Sequence, residues 1–226
     1  MLWLPPQNSM AAKRKGNGMK NLWNKIPKWA RRWIVFIALA YIGFHLMCPS
    51  GTWRYKVTVN VETPEGIKTG SAVREFSNCA CWINLIDFPE AGNPPDHFKG
   101  EAVVIDLGKR GVAFAVMGTD DYYMYYNAFP VDGASTPKGI LEMNAMGHKE
   151  KTLSLKDFPL IVAFKDMNDP KSVEAVKPDN LAAVFGAGVH LKDITIETTK
   201  ESVTWGVEKY LGPWHAVGPY EFVKGR

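Results

Sequence analysis

The hydrophobic pattern of this chain changes period after its first quarter. Residues 33–49, WIVFIALAYIGFHLMCP, are 17 residues without a charge. A continuous apolar run of that length is at the short end of the roughly 17–25 residues that cross a bilayer as a helix. It predicts a membrane-spanning anchor. From residue 55 to 62 apolar and polar side chains alternate instead, the period of a half-buried strand. The turn residues Thr63, Pro64, Glu65 and Gly66 follow, and residues 67–76 are extended again, which predicts a hairpin. Residues 101–107 and 112–117 flank Gly108-Lys109-Arg110-Gly111 as a second hairpin. Residues 158–165 and 189–198 are rich in β-branched side chains and predict two more strands. Residues 178–185 predict a short helix, with Pro178 in its first turn and Gly186 just past its end. Residues 202–211 put Val203, Val207, Tyr210 and Leu211 on one helical face, predicting an amphipathic helix packed on the sheet. Strands and helices do not alternate as βαβ units. The predicted class is α+β, an N-terminal transmembrane helix followed by one mainly antiparallel β domain with a few short helices.

Charge gives the anchor a direction. The flank before it, residues 1–32, carries Lys13, Arg14, Lys15, Lys20, Lys25, Lys28, Arg31 and Arg32, and the first acidic residue of the chain is Glu62. Positive flanks stay in the cytoplasm, so residues 1–32 are expected inside and residues 53–226 outside. The chain has a formal charge of +4, and removing the flank's eight cations leaves −4 for the rest. The basic balance therefore reports a membrane flank and argues against a nucleic-acid-binding domain. A cleavable signal peptide is the rival expectation. Its apolar region would end at a small-x-small site, and here the run ends His45-Leu46-Met47-Cys48-Pro49.

The 174 residues from 53 to 226 suit one domain with its own core. The proline- and glycine-rich stretch 88–97 predicts a surface loop. The segments WRYKVTVNVETPEGIKTGSAV, KGEAVVIDLGKRGVAF and DPKSVEAVKPDNLAAVFGAGVHLKDITIETT resemble a family of uncharacterised, single-pass, membrane-anchored proteobacterial proteins. The resemblance covers most of residues 53–211. It implies a bacterial envelope setting and no activity; with the basic flank, the expectation is an inner-membrane protein with a periplasmic domain.

Candidate chemistry is sparse. Cys79 and Cys81 would share one face of a strand, with Cα atoms about 6.5–7 Å apart, at or beyond the limit for a disulfide. A bridge there needs a turn, or Cys48 as partner; a redox-active thiol pair is the sharper reading. Met143, Met146 and His148 form M-x-x-M-x-H, a thioether and imidazole set suited to copper(I), which Cys79, Cys81 and His97 would extend. Paired methionines are more often core filling. Asp120 and Asp121 precede Tyr122, Tyr123, Tyr125 and Tyr126, and carboxylates beside aromatic rings suit a sugar surface or an acid/base pair. Such a stretch is more often a turn leading into a half-buried segment.

G-x-S-x-G, H-E-x-x-H, Walker and dinucleotide patterns are missing. Ser135-Thr136-Pro137-Lys138 and Lys68-Thr69-Gly70 match two penicillin-binding motifs in reversed order, without the third, in a domain too small for that fold. No cofactor is implied. The expected function is a non-catalytic envelope interaction module, with the bilayer contacted through residues 33–49 and an envelope protein as partner. Two alternatives remain: periplasmic copper or thiol-redox handling, and an enzyme acting on envelope polymers.

Overall fold

The computed structural model describes residues 23, 25–82, 97–116, 118, 121–133 and 135–211, with the His97, Asp121 and Tyr122 side chains left out. It divides into two units, Met1–Met47 and Cys48–Arg226.

The first unit is helix α1, Lys28–Met47, of 20 residues, none buried. At 1.5 Å per residue that is about 30 Å, the thickness of a bilayer's hydrocarbon core. By length and composition α1 is able to cross a membrane. It starts five residues before the uncharged run and takes in Arg31 and Arg32, whose long stems suit snorkelling to a lipid headgroup. It stops short of Pro49, which cannot donate to a helical carbonyl.

The second unit holds two antiparallel sheets. Strands β1 (Ser50–Thr63) and β2 (Gly66–Cys79) pair along their whole length, from Thr63 opposite Gly66 to Ser50 opposite Cys79. The turn closes because the Thr63 hydroxyl donates to the Gly66 carbonyl (2.7 Å) and accepts from the Glu65 N–H (3.2 Å), while Gly66 takes φ 113°. Only glycine holds that conformation without strain. With β3 (His97–Lys99), β6 (Glu150–Thr152) and β9 (His190–Thr199) the hairpin makes a five-stranded sheet in the order β3-β2-β1-β9-β6. The second sheet has the order β4-β5-β7-β8, from Val103–Asp106, Val112–Ala115, Ile161–Phe164 and Val173–Val176.

Alternation on β1 sends Trp53, Tyr55, Val57, Val59 and Val61 into the core, and the β9 residues Ile194 and Ile196 join them. The sheets meet backbone to backbone at Gly70, where an added Cβ would stand 2.1 Å from the Val104 carbonyl oxygen. The Arg74 guanidinium, fully buried on β2, donates to the carbonyls of Glu101 (3.2 Å) and Ala115 (3.0 Å). Since Ala115 ends β5, a cation of the first sheet is tied to the second.

Two helices were not predicted. Helix α2, Asp121–Ala128, carries Met124, Tyr125 and Tyr126 into the core, so the tyrosine-rich stretch is helical. Helix α3, Pro137–Ala145, begins with Thr136 as its cap, accepting from the Gly139 N–H, and Pro137 in its first turn. The Ser135–Lys138 stretch is thus a helix start. Of the short helix expected over 178–185, only the last turn forms, as α4, Ala182–Phe185, and Pro178 lies in the turn before it, not in the helix.

The predicted C-terminal amphipathic helix does not form. Residues 202–206 are irregular, and a single 3-10 turn spans Val207–Lys209. Gly206 has φ 126°, outside the helical region, and two of the segment's backbone donors bond elsewhere. Thr204 N–H reaches the Val73 carbonyl (3.0 Å), and Val207 N–H reaches the Glu101 carboxylate (2.8 Å). The segment straps the sheet from β9 to β2. The stretch 88–97 lies outside the described residues up to His97.

Candidate functional site

The cysteines sort themselves by strand register. Cys48 is bonded to Cys81, with Cα atoms 4.0 Å apart. The bond continues the β1–β2 ladder two rungs beyond Ser50 and Cys79, and the Ala80 N–H to Pro49 carbonyl bond (3.1 Å) makes the rung between. Cys79 is left as an exposed thiol. The expected obstacle to a Cys79–Cys81 bond holds, because Cys79 is in extended strand. With Cys81 oxidised, its sulfur is not a thiolate ligand in this state.

The methionine–histidine set is dispersed. Met143 is in the core, Met146 accepts from the Tyr125 hydroxyl (3.7 Å), and His148 is exposed. His97 is in β3, opposite Ser77, and β3 and β6 are opposite edges of the five-stranded sheet. Four strand spacings of about 4.8 Å separate those edges. Cys79 lies at the open end of the hairpin, six residues along from the Lys56 rung, about 20 Å at strand rise.

Of the acidic–tyrosine group, Asp120 lies outside the described residues, as do the side chains of Asp121 and Tyr122. Tyr123 is exposed on α2, whereas Tyr125 and Tyr126 are core residues. Burial pushes the Tyr125 hydroxyl pKa well above the usual phenol range.

One convergence was not foreseen. His148, Glu150 and Glu197 each offer a donor atom, all within 4.8 Å of one another. Two residues apart in extended chain, His148 and Glu150 share a face, and register sets Glu150 opposite Glu197. His148 Nδ1 lies 3.0 Å from the Thr198 carbonyl oxygen, and Nε2 lies 3.9 Å from Glu197 Oε2. The spacing H-x-E was readable in the sequence; its third member, from β9, was not.

The same outer face carries ion pairs. Glu75 is held between Arg54 (2.7 Å) and Lys99 (2.9 Å), and these two cations keep its carboxyl below the usual range, Lys99 contributing more. Lys56 reaches Glu201 (3.1 Å) and Glu197 (3.6 Å), and the Glu201 hydrogen bond is the main cause of its raised pKa.

The best-formed hollows among the described residues run along α1, lined in one case by Tyr41, Ile42, His45 and Leu46. The other is lined by Trp23, Arg31, Arg32, Val35, Phe36 and Leu39. No family model, curated protein or solved structure matches the chain.

Proposed function

We propose that the chain is a single-pass protein of the bacterial inner membrane whose β domain works in the periplasm as a non-catalytic interaction module. The observation that carries this reading is the Cys48–Cys81 bond, which starts at the residue directly after α1. Structural disulfides persist in oxidising compartments and are rare in the cytosol. The basic flank argues for the same side independently, by the positive-inside rule. The resemblance to membrane-anchored proteobacterial proteins is consistent with the setting. The non-catalytic part rests on the packed core and on the placement of the best hollows along α1. Enclosed small-molecule sites are concave. A module with a filled interior engages partners through its surface.

The test is a pair of fusions at Arg226 in bacterial cells. Alkaline phosphatase should be active there, and a fluorescent protein that matures only in the cytoplasm should stay dark. The reverse result overturns the sidedness. Photo-crosslinkers at exposed Leu155, Leu160 and Trp205 should trap a discrete envelope protein in intact cells. A clean blank at all three positions argues against the interaction role.

A further inference from the structure

We propose that His148, Glu150 and Glu197 form a binding site for a divalent transition ion of the zinc class, independent of the interaction role. One imidazole and two carboxylates are a donor set that zinc accepts, with bonds of about 2.0–2.2 Å and a fourth position left to water. Ligand atoms on such an ion stand roughly 3.3–3.5 Å apart by tetrahedral geometry. The three donors here lie within 4.8 Å of one another, and small rotations of the exposed His148 and Glu150 side chains toward the half-buried Glu197 close the difference. No sulfur is among them, which favours zinc over copper(I).

The histidine is already set for coordination. A carbonyl oxygen only accepts, so the 3.0 Å contact between His148 Nδ1 and the Thr198 carbonyl places the imidazole proton on Nδ1. In the neutral ring that leaves Nε2 with its lone pair on the Glu197 side, and an N–H to carbonyl bond behind the ring is the usual support of metal-bound histidine. The segment carrying the ring is pinned to β9 by three further bonds. Lys149 N–H donates to Thr198 Oγ1 (2.8 Å), the Thr198 hydroxyl donates to the Gly147 carbonyl (3.1 Å), and Thr198 N–H donates to the Lys149 carbonyl (2.8 Å).

The adjacent cation leaves room for the ion. Lys56 approaches Glu197 through Oε1 at 3.6 Å, whereas His148 faces Oε2, and Lys56 holds Glu201 more closely, at 3.1 Å. A metal would thus bond the carboxylate oxygen that the lysine does not use. Because ligands come from both β6 and β9, binding would clamp a three-residue edge strand to its neighbour and raise the melting temperature.

The experiment uses full-length protein in detergent, stripped with a chelator and titrated with zinc chloride by calorimetry and thermal melting. One ion per chain is expected, with a rise in melting temperature. His148→Asn and Glu150→Gln should each weaken binding at least about tenfold, the minimum seen when even a supporting residue of a metal site is lost. Both side chains are exposed, so the stripped variants should melt with the stripped wild type. Cys79→Ser should bind as the wild type does. The proposal fails if zinc in tenfold excess gives neither heat nor a melting shift. It also fails if His148→Asn and Glu150→Gln bind as tightly as the parent, or if Cys79→Ser removes the ion.

Discussion

At the scale of single residues, two arginines do different work. Arg110 is half-buried: its guanidinium grips both Glu65 carboxylate oxygens at 3.0 Å and the Phe185 carbonyl at 3.1 Å. It joins the tips of both hairpins to the end of α4. The Arg110 hydrogen bonds pull the Glu65 pKa from 4.5 to about 2. A carboxyl with a depressed pKa stabilises the fold above its unfolded value and loses that contribution as pH falls through its folded value. The melting-temperature gap between wild type and Arg110→Gln should therefore be full above pH 4.5 and shrink toward about pH 2. A gap that stays constant across that window would show that Glu65 is not the partner that matters. Arg74, by contrast, is fully buried and spans the two sheets through backbone carbonyls.

At the scale of elements, the two sheets approach strand to strand at Gly70. Gly70 sits mid-strand in β2, where glycine costs conformational entropy and offers no side chain to pack. The Val104 carbonyl against its Cα explains it. Gly70→Ala should push the sheets apart and lose about 1–3 kcal/mol, the usual cost of overpacking a filled core. Gly147→Ala is the control, since an added Cβ there meets nothing within 4 Å. It should stay within about 0.5 kcal/mol, the range of surface substitutions. Chemical denaturation of both variants decides the matter; equal midpoints would mean the sheets yield freely at β2.

At the scale of the molecule, the Cys48–Cys81 bond closes the open end of the longest hairpin across 33 positions. Chain entropy gives a loop of that size about 4 kcal/mol of stabilisation. Cys48→Ser should therefore lower the melting temperature by roughly 10 °C in a domain of this size. Cys79→Ser should leave it nearly unchanged. Thiol labelling of native protein should modify Cys79 and spare the bonded pair until a reductant is added. Labelling of all three cysteines without reductant would contradict the pairing and remove the main support for a periplasmic domain.

Much of the fold was legible in the sequence because its causes are local. An uncharged run long enough to cross a bilayer, a two-period alternation from Tyr55 to Glu62 and a turn closed by Gly66 each depend on a few neighbouring residues. The α+β class, the apolar N-terminal helix and both hairpins followed from them. The disulfide was nearly legible as well. Once the 63–66 turn is placed, the register it imposes puts Cys48 across from Cys81, two rungs past the last pair. Helix α3 carried a readable start in Thr136 and Pro137, hidden behind a chance motif match, whereas α2 was missed because its apolar residues answer to the core around them and not to a clean helical period. Met124, Tyr125 and Tyr126 are buried in succession. The 202–211 segment failed the other way. Its helical spacing was real, but Val73 and Glu101 offered its backbone donors better partners than its own turns did. The meeting of His148 and Glu150 with Glu197 belonged to tertiary structure alone. It needed β6 and β9 to pair in one register, and no span of sequence records which strand will lie beside a three-residue edge.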